Sequence, residues 1–129
     1  MQNNLFLRRI LALDSLSCLA MGLLLALAAA SLAPLFGLPE TLLRVAGLAL
    51  LPVGAFMGWL AARAEPPRPL VWVVIAGNLV WAIESVIILG QFAPTALGTA
   101  SVSAQAAAVL GITALEYVGL RKAAVAAGA

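Results

Sequence analysis

The sequence predicts an all-α, polytopic membrane protein, a four-helix transmembrane bundle with both termini in the cytoplasm. Three observations carry that expectation. The 129 residues are 64% apolar and only 9% charged, with mean hydropathy +1.13, whereas a soluble domain needs about a quarter of its residues charged to wet its surface. Four apolar runs are each close to the roughly 20 residues that cross a hydrocarbon core of about 30 Å. Lys and Arg, finally, gather on one side of the implied membrane. The chain reads as a single transmembrane domain over residues 1–129.

The first run covers residues 10–32. "LFLRRI" ahead of it and "AAASLA" near its end resemble the basic start and cleavage site of a secretory signal. The run is longer than a signal's apolar stretch and contains Asp14, so it is expected to remain as a span. Cys18 sits inside it as a small packing residue. "APLFGLPE", with two prolines and a glycine, separates this run from the second, residues 41–62. "RAEPPRP" divides the second from the third, residues 70–90, and "QFAPTALGTA" precedes the fourth, residues 101–120. In lipid each backbone segment must satisfy its own hydrogen bonds, so the runs are helices. Barrel strands would alternate in polarity over about 10 residues, and these do not.

Orientation follows from the cations. Arg8 and Arg9 precede the first helix, Arg63 and Arg68 lie between the second and third, and Arg121 and Lys122 follow the fourth. Only Arg44 lies toward the opposite side. The positive-inside rule then puts the termini and the middle loop in the cytoplasm of a bacterial inner membrane. Trp59 and Trp72 fall near that interface as belt anchors.

Polar residues inside the spans need a reason, because a carboxylate in hydrocarbon costs several kcal/mol unless paired, solvated or protonated. Gly77, Trp81, Glu84 and Ile88 share one stripe of the third helix, with Asn78 and Ser85 on the adjacent one. Arg44 in the second helix lies at a depth its long stem brings within reach of Glu84. Glu84 therefore reads in two ways, as a structural group, ion-paired with Arg44 or protonated and hydrogen-bonded to Asn78 or Ser85, or as a proton- or cation-binding carboxylate in a transport path. Trp81 lines a cavity or packs against the second helix. Asp14 and Glu116 form a second set near the cytoplasmic side, and Gln105 shares a helical face with Glu116. Arg8, Arg9, Arg121 and Lys122 are placed to neutralise these acids, so the set reads as an interfacial salt-bridge layer that fixes helix ends, or as a proton entry path or a partner contact.

Arg44, Gly47, Leu51, Gly54 and Gly58 make one stripe of the second helix, including the G-x-x-x-G of "GAFMG". Small residues let helices approach where no hydrophobic force acts between them. The contact is either internal or between subunits. Pro52 removes a donor from the same helix and is expected to kink it.

Other chemistries are excluded by what is missing. With no histidine and one cysteine, the usual metal ligands, the usual general base and an internal disulfide are gone. A net charge of +2 on scattered carriers gives no nucleic-acid face. No phosphate loop or nucleophile–base pair is present, so no metal, no cofactor and no catalytic residue is expected.

Across almost its whole length the chain resembles a group of small four-helix membrane proteins of proteobacteria, through "FLRRILALD", "LLRVAGLALLP", "VWVVIAGNLVWAIES", "APTALG" and "EYVGLRK". The resemblance implies an intact four-helix chain and assigns no activity. In architecture it is also similar to the small multidrug resistance exporters, dimers that work through a membrane glutamate. That glutamate is in their first helix, whereas Glu84 is in the third here. Two functions are therefore carried forward. The leading one is a non-catalytic accessory protein whose partners are the bilayer and a second copy or another membrane protein. The alternative is a proton-coupled transporter of a small molecule or cation, oligomeric and acting through Glu84.

Overall fold

The computed structural model of the chain describes the backbone of residues 2–126 and the side chains of residues 5–122. It is all-helical, with α1 (Gln2–Phe36), α2 (Glu40–Ala62), α3 (Arg68–Phe92) and α4 (Ala96–Ala126). Each is long and apolar enough to cross a membrane. The helices overrun the predicted spans, α1 and α4 most of all. Hydropathy marks only the apolar stretch, while helix ends are set by backbone chemistry that continues through polar flanks.

That chemistry is local. α1 closes on Gly37, which takes φ 67°. The Gly37 N–H donates to Ala33 O at 2.9 Å and the Leu38 N–H donates to the same carbonyl at 3.2 Å, the left-handed cap that glycine adopts without strain. Pro39 and Pro67, both extended, start α2 and α3. α4 opens at Thr95, whose Oγ1 accepts the Gly98 N–H at 3.0 Å. Thr95 also ties the two turns at this end together, donating from Oγ1 to Leu35 O at 2.6 Å and from its N–H to Phe36 O at 3.0 Å. Helical backbone continues through Pro52 in α2. In α1 it breaks at Ala28 (φ −108°, ψ 15°), in the helix whose Pro34 leaves the Ala30 carbonyl without its helical donor.

The three short connections turn each helix back along its predecessor, so both chain ends lie at one end of the bundle. α1 is the central helix. It packs most extensively on α2, then on α4, and α4 packs on α3, while α2 and α3 scarcely touch. The four thus form a curled row, α2–α1–α4–α3, with an open side between its outermost members.

Small residues explain the tight α1–α2 contact. A Cβ on Gly47 would come within 2.5 Å of Ala26 N and 2.7 Å of Gly22 O, and one on Gly54 within 2.9 Å of Leu19. Ser15 Oγ, 3.0 Å from a Cβ placed on Gly58, donates to Gly54 O at 2.7 Å. The glycine stripe is thus spent inside the chain. Arg44 lies off the buried face and is exposed. At the end bearing the termini all four helices meet in one apolar cluster of Leu7, Leu11, Met57, Leu60, Val71, Val74, Ile75 and Leu120. A second cluster, built on Leu25, Ala29, Leu38, Leu43 and Leu50, joins α1 to α2 toward the far end. Elsewhere large apolar side chains point outward, Leu27 at 82% exposed among them, as suits a surface wetted by lipid. Trp59 and Trp72 lie half-exposed at the terminal end. The Arg63 guanidinium stands 4.9 Å over the Trp59 ring, and Trp72 meets Tyr117 edge-on at 5.9 Å.

Where backbones touch, a methyl group has nowhere to go. Gly47→Ala should cost about 1–3 kcal/mol, the usual penalty of overpacking. Gly111→Ala, with nothing within 4 Å of its Cβ position, should lose nothing and gain up to about 1 kcal/mol of helix propensity. Thermal unfolding in detergent checks both, and equal melting points for the two variants would contradict the α1–α2 contact.

Candidate functional site

The buried face of α3 carries Val71, Val74, Ile75, Asn78, Ala82 and Ser85, a helical repeat with two polar members. The neighbouring stripe, Gly77, Trp81 and Glu84, borders the open side of the row. The two stripes have different fates.

Asn78 enters the core and meets both acids of the other set. Its Nδ2 donates to Asp14 Oδ2 at 2.9 Å and to Glu116 Oε1 at 3.0 Å, so one amide uses both N–H groups on carboxylates from two other helices. Asp14 is buried and Glu116 is fully enclosed, at 0% exposure. Glu116 Oε2 has no hydrogen-bond partner. The Cys18 thiol lies one turn along α1, 3.8 Å from Asp14 Oδ1 and 3.9 Å from Met57 Sδ.

The cations expected to neutralise these acids are occupied elsewhere. Arg8 Nε donates to Ala61 O at 2.9 Å, Arg121 stands over Tyr117, and Lys122 stands over Phe6 at 4.5 Å. Arg9 is exposed. Asp14 and Glu116 form no interfacial salt-bridge layer with them. Nor does Arg44 reach Glu84. It pairs with Glu40, one turn away on its own helix, at 3.0 Å, which is an exposed pair worth about 0.3–0.5 kcal/mol. Among the described residues that is the one ion pair. The Glu84–Arg44 contact fails because α2 and α3 scarcely touch, and they meet mainly at the end bearing the termini.

Gln105 also changes company. Rather than joining Glu116, its Oε1 accepts the Trp81 indole N–H at 2.8 Å. Its Nε2 donates to Ser85 Oγ at 2.8 Å and to Val102 O at 3.1 Å. Ser85 passes its own proton to Trp81 O at 2.9 Å. The indole is therefore fixed by α4 and does not pack against the glycines of α2.

Between α2 and α3, over a floor of α1 and α4, runs a cleft. Its larger chamber encloses about 730 Å³ and is bordered by Asp14, Cys18, Phe56, Asn78, Trp81 and Glu84 among mostly apolar side chains. A second chamber of about 470 Å³ continues toward the far end past Phe36, Leu42 and Ile88. Met21, Ala49, Trp81, Glu84 and Gln105 border both chambers. Glu84, exposed and six residues along α3 from Asn78, stands on that boundary at a rise of about 9 Å. The cleft thus presents two carboxylates, two amides and one thiol in mostly apolar walls. No group of three His, Cys, Asp or Glu side chains that could hold a metal ion is found among the described residues.

Comparison of the chain with protein-family models, with curated proteins and with solved structures finds no match. Function is therefore argued from the site alone.

Asn78 is the polar junction of three helices, and removing it strands two buried acids. Asn78→Leu should lower stability by about 1–3 kcal/mol for each carboxylate left without its donor. Trp81→Phe, which removes one neutral hydrogen bond, should cost about 1 kcal/mol. Chemical or thermal unfolding in detergent ranks them, and an Asn78→Leu variant as stable as wild type would contradict the junction.

Proposed function

We propose that this protein is a multi-pass inner-membrane protein, both termini cytoplasmic, that binds and moves a small cationic molecule with a substantial apolar body, using Glu84 as the counter-charge. One observation carries the reading. Glu84 lies in an apolar cleft without a cationic partner among the described residues, while the arginine nearest to that role is engaged on its own helix. A membrane carboxylate is costly unless something neutralises it. Here the geometry leaves that role to a ligand or a proton.

Size and lining support the same class. A chamber of about 730 Å³ falls within the roughly 300–1,000 Å³ typical of small-molecule sites. Its walls suit an apolar body, and its carboxylates suit a positive head. The six cations at the end bearing the termini support the cytoplasmic assignment for that end. The four-helix plug there then closes the cleft from the cytoplasm, while the α2–α3 side leaves it open to the bilayer. Four helices enclose little volume, which supports work as an oligomer. The rival reading is a non-catalytic accessory protein, stabilised by buried polar pairs and associating through small-residue faces; the pairing of Arg44 with Glu40 and the use of Gly47 and Gly54 against α1 weigh against it.

The test uses tetraphenylphosphonium as the cationic probe and protein reconstituted in liposomes, with protein-free liposomes as the blank. Wild type should bind the probe in excess of the blank. Glu84→Gln should weaken binding at least tenfold, the loss of about 1.4 kcal/mol of charge attraction, with its thermal midpoint unchanged. A stability loss in Glu84→Gln with no probe binding by wild type would return the accessory reading to first place.

A further inference from the structure

We propose that Asp14 and Glu116 form a second, separate site that holds one proton between them across Asn78, and that a cation entering the cleft at Asp14 displaces it. The second half of this proposal rests on the reading of the cleft as a cation site. The first half stands on geometry alone.

The geometry is that of two acids on one donor. Their accepting oxygens lie 2.9 and 3.0 Å from a single nitrogen, so they are no more than about 6 Å apart. Two full negative charges at that distance repel strongly in the low dielectric of a buried site. One amide carries no net charge to offset them. The fully enclosed Glu116 also has an oxygen, Oε2, without a hydrogen-bond partner. A buried anionic oxygen without a donor is a heavy cost, and a proton on Oε2 removes the charge where no donor can.

The surroundings leave the proton as the neutralising ion. α1 contributes Asp14 and the Cys18 thiol to the site. Along the cleft α2 presents Met57 and Phe56 and no ionisable group, α3 presents Asn78 and, farther along, Glu84, and α4 presents Gln105 and no basic side chain. Asp14 borders the cleft, whereas Glu116 sits behind Asn78 and does not. The arrangement has an order. A cation in the cleft faces Asp14 first, and its charge lets both carboxylates be ionised together. The proton then leaves through the cleft, since Leu7, Leu11, Leu60 and Val71 close the terminal end.

The division of labour differs from that of a single-acid exporter. Glu84 and the Asp14–Glu116 pair are distinct stations about 9 Å apart by helix rise. Charge exchange between ligand and proton then needs no competition for one oxygen.

Two measurements on the full chain in liposomes test this. Infrared spectroscopy at neutral pH should show the C=O stretch of a protonated carboxyl in wild type and in Glu84→Gln, and lose it in Asp14→Asn and Glu116→Gln. Both substitutions are isosteric and leave Asn78 its two acceptors, so the variants should fold; melting points verify that. Adding tetraphenylphosphonium in weak buffer should then release one proton per bound probe from wild type, and none from Asp14→Asn or Glu116→Gln while Glu84 still binds the probe. A wild-type spectrum without the band, or a band that disappears only in Glu84→Gln, would each overturn the shared proton. The band present with no probe binding would uphold the shared proton and overturn both its displacement and the cleft reading. Probe binding without proton release would overturn the displacement and leave the cleft reading intact.

Discussion

A single side-chain amide, Asn78, joins three of the four helices through two hydrogen bonds to buried carboxylates. In lipid such a contact matters more than its size suggests. Lipid tails are as apolar as leucine, so in a bilayer burial alone would not draw helices together. What remains is close approach of small residues and polar pairing. α1 holds α2 by the first means, through Gly22, Gly47 and Gly54. α3 is held by the second, with Asn78 reaching α1 and α4 while Gln105 binds Trp81 and Ser85.

These two kinds of contact leave the bundle asymmetric. No glycine stripe and no polar pair links α2 to α3, and those helices stand apart except at the end bearing the termini. There eight apolar side chains from all four helices fill the space. The cleft is the consequence. It is walled by the outer helices of the row, floored by the inner two, and stopped at one end by that cluster. Thr95 ties the turns at the other end, so the gap is a feature of a braced frame.

The polar side chains inside this frame fall into two groups with different exposure. Asp14, Asn78 and Glu116 are buried and mutually bonded, as a charge-bearing unit in low dielectric must be. Glu84 is exposed in the cleft and bonded to nothing among the described residues. A protein that needed only rigidity gains from the first group and nothing from the second. A protein that binds a charged molecule uses both, one as the counter-charge and the other as a reservoir that responds to it.

By itself the sequence determined four helices of membrane-spanning length, because apolar run length and loop prolines report directly on the chain. It also determined that Asp14, Glu84 and Glu116 needed neutralising, because that follows from residue type and position within a span. The Glu84 and Asn78 stripes were legible as separate faces of α3, since periodicity is a property of one helix. Partnership was not. Counted along each helix, Asn78 lies deeper than Asp14 or Glu116, and Arg44 lies level with Glu84. The structure nonetheless puts Asn78 on both acids and turns Arg44 to Glu40. Axial offset, tilt and which helices are neighbours decide such meetings, and none of these is written in a single helix's pattern. Only the tertiary structure decided that α2 and α3 part, and with that parting it left Glu84 without its arginine.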